Sequence, residues 1–437
     1  MIRMLRARLI DLLGSADFAR VYTLIALGTA LSGFAIEHIA SAWTLYSMMA
    51  GLAVVGAAML WVRRRELTLI GFAPTMLLGF VLWALVSVAW AFDRWESFTG
   101  WLELLCYAFV AVTIAQVRDT MQVVRALGDV LRALLGLSIA LEVLVGILLD
   151  TSFPQLAMPG DIAFLGPIQG MFGTRNMLAF VAMIAIATFF VEWRLRAVAT
   201  GVAVGSLVLA GVSAALSASP TALVLACALA VALSVLLLIR RVRPGNRLDV
   251  HRALGIGVVL LGAVAYLFRE RIFETVNAAT ALANRSALWS EVLRWVERRA
   301  IQGWGWYGDW LDEPFPFRTV NFLMGAPHES ALNAYLDVTL QLGAVGLILF
   351  GGMCALAFAR GWVMASERRS SVYLWMPLML TVILVTSLAE SFTLEGPGWL
   401  LLVLCIVTAG QARSWRTLIL DRQDIPEPLP PDDRRPG

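Results

Sequence analysis

A chain of 437 residues that is 59% hydrophobic and only 15% charged, with a mean hydropathy of +0.78, is too apolar for a soluble domain and has the composition of a polytopic membrane protein. Its formal charge of +3 is too small to point to nucleic acid. The four cysteines, Cys106, Cys227, Cys354 and Cys405, all lie in apolar runs without metal-type spacing, so neither a disulfide framework nor a zinc site is suggested.

Residues 1–20 are too polar for a signal-peptide core and read as a cytoplasmic amphipathic lead-in. Apolar runs of spanning length follow at 21–37, 41–62, 68–91, 99–117, 127–149, 176–193, 197–216, 220–239, 253–268, 332–359, 373–390 and 396–412. The expected fold is all-α, with about twelve transmembrane helices. Helices one to nine occupy 21–268, a large external loop 269–331, helices ten to twelve 332–412, and a Pro-rich cytoplasmic tail, expected to be disordered, 413–437. Every basic residue is arginine, and the arginines mark orientation. Arg63, Arg64 and Arg65, then Arg118 and Arg125, Arg194 and Arg196, Arg240 to Arg247, Arg360 to Arg369, and Arg413 and Arg416 fall in every second break. The positive-inside rule therefore places both termini in the cytoplasm.

Two outward breaks are long, 150–175 and 269–331, and long loops in compact architectures are usually functional or disordered. The second holds Trp289, Trp295, Trp304, Trp306 and Trp310, too many large rings for a linker, so it is expected to fold. Within it, NRSALWSEVLRWVERRA has an amphipathic helical pattern, with Asn284 as expected N-cap and Arg285 in the first turn. A phosphate shared at that turn would suit Arg285; an interfacial helix with snorkelling arginines would show the same pattern. The glycine-aromatic run IQGWGWYGDW suits rings presented at headgroup level, against a sugar or as a simple aromatic belt. His328, one of three histidines, is expected to open the next helix, whose N-terminus would keep the imidazole neutral and able to accept a proton. Glu329 follows it, and Asp337 lies deeper in the span, where an ionisable group is a functional candidate by default. In the first long loop, Arg175 and Asn176 open a span; Glu390 and Glu395 bracket the last outer turn, binding a sugar hydroxyl or simply solvated.

The stretches RSALWSEVLRWVERRAIQGWGWYG and HESALNAYLDVTLQLGAVGLILF resemble the signature of the O-antigen ligase and polymerase superfamily, and FGTRNMLAF is similar to its Asn-rich segment. Gly343 and Gly346 match its Gly-x-x-Gly. Three positions depart from the pattern: Ser219 and Pro220 stand where a Ser-Arg pair is usual, Glu329 follows the histidine, and Gln341 stands in place of a glutamate. The resemblance implies a GT-C-like, metal-independent and cofactor-free glycosyltransferase of the bacterial inner membrane, with its site facing the periplasm. Its donor would be a glycan on undecaprenyl diphosphate, and its acceptor a lipid or glycan (lipid A-core in a Gram-negative cell). Arg285 and Arg175 would bind the diphosphate and His328 would be the base, with Glu329, Asn176, Trp289, Asp337 and Glu395 as acceptor or supporting residues. A lipid-linked glycan polymerase shares this donor chemistry. A bicarbonate-type transporter is the alternative from another class, but the chain shows no convincing internal repeat.

Overall fold

The structure is a computed structural model that describes residues 8, 10–64, 74–164, 166–267, 280–310 and 314–423. Much of the expected lead-in and the last part of the tail lie outside the described residues. In chain order the helices are α1 (Ala16–Leu31), α2 (Gly33–Ile39), α3 (Ala42–Val62), α4 (Thr75–Ser87), α5 (Arg94–Val117), α6 (Thr120–Val143), α7 (Arg175–Leu195), α8 (Thr200–Leu216), α9 (Pro220–Arg241), α10 (Arg247–Leu267), α11 (Thr280–Arg298), α12 (Phe317–Met324), α13 (Ala334–Glu367), α14 (Trp375–Thr386) and α15 (Gly396–Gln423). Among the described residues there is no strand beyond one isolated bridge, Phe153 to Met158.

Six helices are long and apolar enough to cross a bilayer, or seven when the pair α1 and α2, bent by 67°, is one span. Four further apolar helices are shorter: Thr75–Trp90, Thr200–Leu216, Ser371–Thr386 and Gly396–Gln411. Side-chain chemistry sets the helix starts. Asp119 opens α6 with a full capping box to Gln122, Thr174 caps α7 through Met177 N, and Asn333 caps α13 through Tyr335 N and Leu336 N. Helices α7 and α14 bury residues around most of their circumference, as befits central members of a bundle.

The described residues between α10 and α13 fold onto this bundle with their own core, in which Leu288, Val292, Trp295, Trp304, Tyr307, Trp310, Phe317 and Val320 pack together. The rings of the glycine-aromatic run are thus buried rather than presented at a headgroup surface. The docking has a specific cause. Helix α13 is broken at Gly343 (φ 65°, ψ −165°), which frees backbone groups inside a span. A spanning segment tolerates such a break only where other protein groups satisfy it. Here Trp304 N and Gly305 N donate to the carbonyls of Leu340 and Gln341, Ala344 N donates to Ala300 O, and Trp83 Nε1 reaches Leu342 O. The Gln341 side chain completes the joint, accepting from Tyr307 N and Gly308 N and donating to Gly308 O. The backbones approach so closely that a methyl on Gly303 would lie 2.3 Å from Gln341 O, and one on Gly343 2.2 Å from Ile301 O. Gly303→Ala and Gly343→Ala should each lose about 1–3 kcal/mol from backbone conformation alone, with the clash added. Thermal unfolding in detergent, followed by tryptophan fluorescence, checks this; unchanged midpoints would mean the joint is not closed as described.

Candidate active site

The joint brings α11 against the turn between α14 and α15, and Arg285 bridges the two. Its Nη1 donates to Ala389 O, with a longer 3.5 Å approach to Leu332 O, and its Nη2 donates to Glu390 Oε1 at 2.7 Å. Arg285 is not in the first turn of its helix, as the sequence suggests. The helix-forming residues before Asn284 extend α11 back to Thr280, so Asn284 is no cap and Arg285 lies beyond the first turn. The guanidinium, not the helix terminus, is the cationic feature.

Glu390 is only 3% exposed. Its Oε1 also accepts from Asn176 Nδ2 at 2.6 Å, and Asn176 Oδ1 in turn accepts from Ser219 Oγ at 2.7 Å. Ser219 sits at the N-cap of α9, yet its hydroxyl does not cap that helix. The Ser219 carbonyl already accepts from Ala222 N, and the hydroxyl turns to Asn176 instead. Three segments therefore meet at one carboxylate, and Ser219 joins a fourth to it through Asn176. Burial pushes Glu390 above the usual carboxylate range, while the neighbouring Arg285 and the Asn176 amide pull it back.

Arg175, the first residue of α7, is exposed and forms no ion pair or hydrogen bond with a described residue. It stands next to Asn176 in the chain as an uncommitted cation.

His328 does not open a helix. Helix α13 starts at Ala334, and His328 lies in the connection before it. Its backbone is clamped by the Asn321 amide, which accepts from His328 N at 3.1 Å and donates to His328 O at 3.3 Å. The half-buried imidazole hydrogen-bonds to no described residue. Burial, not a helix terminus, lowers its pKa and favours the neutral ring.

The supporting residues divide. Trp289 Nε1 donates to Ala331 O at 2.9 Å, tying α11 to the His328 connection. Asp337 is fully buried and accepts from Trp310 Nε1 at 2.7 Å, from Ala331 N at 2.9 Å, and from Ser391 Oγ. It clasps the segment bearing Trp310, the His328 connection and the turn between α14 and α15 together. Glu329 is exposed; its carbonyl accepts from Trp310 N at 2.7 Å. Glu395 is not brought to Arg285. It hydrogen-bonds with Asp309, and burial together with the charges of Asp309 and Glu103 holds it well above the usual carboxylate range. With Glu103, Tyr107 and Trp306 it lines a cavity of about 10 Å³, room for a single water.

Residues 205–351 match the family described as O-Antigen ligase. The matched segment contains Ser219, Arg285, Trp289, His328 and Asp337; Arg175, Asn176 and the outer turn with Glu390 lie outside it. No curated protein matches the chain.

Proposed function

We propose, for a multi-pass membrane protein whose residues 205–351 match the O-antigen ligase family, that the Arg285 centre transfers a glycan from a polyprenyl diphosphate to an acceptor hydroxyl. The observation that carries this reading is the Arg285 guanidinium, held at the end of the bundle by Ala389 O and Glu390 within reach of the connection bearing His328. The transfer needs a cation for the leaving diphosphate and a base for the acceptor. Arg285, assisted by the uncommitted Arg175, supplies the first; the neutral imidazole of His328 supplies the second. His328 takes the hydroxyl proton, the acceptor oxygen attacks the anomeric carbon, and the bond from that carbon to the diphosphate oxygen breaks. The lipid diphosphate leaves with the electron pair, and His328 returns its proton to water. In this reading the chain makes twelve spans in a GT-C-like arrangement, both termini are cytoplasmic, and the site faces the periplasm of a bacterial inner membrane. Undecaprenyl diphosphate is the donor lipid, and a lipid A-core or other glycan is the acceptor. Asp337 and Trp289 hold the site together without touching substrate.

Because guanidinium groups neutralise the diphosphate, transfer should persist in excess EDTA. Purified protein incubated with a synthetic undecaprenyl diphospho-oligosaccharide and candidate acceptors tests both points by mass spectrometry. A single addition to a lipid acceptor marks a ligase, and a ladder built on the donor itself marks a polymerase. Activity lost to EDTA and restored by magnesium would contradict the arginine-based site. Movement of the intact donor or a small solute across the membrane without transfer would contradict the enzyme.

A further inference from the structure

We propose that Glu390 is a working residue of the transfer cycle: it fills the anion seat of Arg285 in the empty enzyme, yields it to the donor diphosphate, and retakes it to expel the diphosphate product. The inference rests on the transferase reading above.

The geometry points this way for three reasons. First, Arg285 has no idle end toward the outer turn. Its Nη1 is on Ala389 O and its Nη2 on Glu390 Oε1, so the edge of the guanidinium that faces this turn is already in use. A diphosphate that takes the guanidinium by that edge must displace Glu390 from Nη2. Second, the Arg285–Glu390 pairing is one-toothed. Both Arg285 and Asn176 contact Oε1, and Oε2 makes no hydrogen bond to a described residue. A structural Arg–carboxylate pair at this degree of burial is stabilised most by two parallel bonds; a single bond is easier to exchange. Third, the carboxylate has a tether. Asn176, itself held by Ser219 Oγ, keeps its hydrogen bond to Glu390 whether or not Arg285 does. Glu390 can therefore leave Arg285 without losing every partner, and it stays close enough to return.

The return matters because of charge. When the anomeric C–O bond breaks, the diphosphate gains negative charge and would bind the arginine more tightly than the donor did. A tethered carboxylate competing for the same guanidinium shortens that residence. Asn176 and Ser219 are then positioning residues that act through Glu390.

The test compares parent, Glu390→Gln, Glu390→Asp and Arg285→Ala proteins in nanodiscs, using a short-chain polyprenyl diphosphate as binding probe by calorimetry and as inhibitor of transfer. Glutamine keeps the hydrogen bonds but not the charge. Glu390→Gln should bind the probe about tenfold more tightly and be inhibited by correspondingly less of it, an effect of losing one competing charged contact. Its first turnover should be preserved and its steady-state rate lowered, giving a burst. Should Glu390→Gln not fold, Glu390→Asp keeps the charge on a shorter arm and should bind the probe about threefold more tightly, since the pairing it makes with Arg285 is weaker. Weaker or unchanged probe binding in the folded variant would overturn the proposal and leave Glu390 as a brace for Arg285. Binding by the parent that is absent, or indifferent to Arg285→Ala, would instead defeat the transferase reading, and this inference with it.

Discussion

Arg285→Ala should abolish glycan transfer, and Arg285→Lys should recover little of it. Removing one preorganised donor to a developing anion costs on the order of 10²–10³ in rate, and Arg285 offers two such donors on one planar fork. Lysine brings the charge without the fork. The alanine change has a second consequence. It strands Glu390, 3% exposed, beside a single amide donor, and breaking a buried pair in this way is destabilising by about 3–5 kcal/mol. Lost activity in Arg285→Ala alone could therefore be lost folding. The double variant Arg285→Ala with Glu390→Gln removes the stranded charge; it should recover stability in detergent and remain inactive. Arg175→Ala, by contrast, removes an exposed residue with no partner among the described residues, and should raise the donor KM with no change in the unfolding midpoint. Transfer at the parental rate by a folded double variant would move the diphosphate seat elsewhere.

His328→Ala should lower kcat by about 10²–10⁴, the usual weight of positioned proton transfer, while leaving donor binding nearly unchanged. The fold should tolerate it, because the contacts of His328 with Asn321 are made by its backbone. The pH dependence has a definite sign. A base works in its unprotonated form, and burial depresses the His328 pKa below the ordinary histidine value. The parental rate should thus be flat near neutrality and fall only below about pH 6.5, and this limb should vanish in the alanine variant. A limb that survives in His328→Ala would assign the proton to another group.

What could be read from the sequence follows the range over which each interaction acts. Helices stand at the apolar runs because a bilayer imposes one length and one polarity on every span, although α15 continues to Gln423, beyond the apolar run that predicts it. Arg285, His328 and Asn176 are visible because each sits in a local pattern. Their partners are not. Glu390 is 105 residues from Arg285 and 214 from Asn176, and a contact across helices leaves no periodicity to find. Asp337 was recognisable as an ionisable group in a span, but its three donors come from three separate segments. Local signals also misled at two points. Asn284 has cap chemistry yet lies inside α11, since good helix formers precede it. The aromatic run suggested rings presented at headgroup level, to a sugar or as an aromatic belt, whereas the broken helix at Gly343 needs that loop's backbone and draws its rings into a core.

The most direct measurement is a single-turnover reaction of the purified protein with a radiolabelled polyprenyl diphospho-glycan and an acceptor, resolving glycosylated acceptor and released polyprenyl diphosphate together. The two should appear in equal amounts and at one rate, in the presence of EDTA, and neither should appear with the stabilised Arg285→Ala, Glu390→Gln variant. Release of polyprenyl monophosphate, or transfer that persists in that variant, would contradict the mechanism.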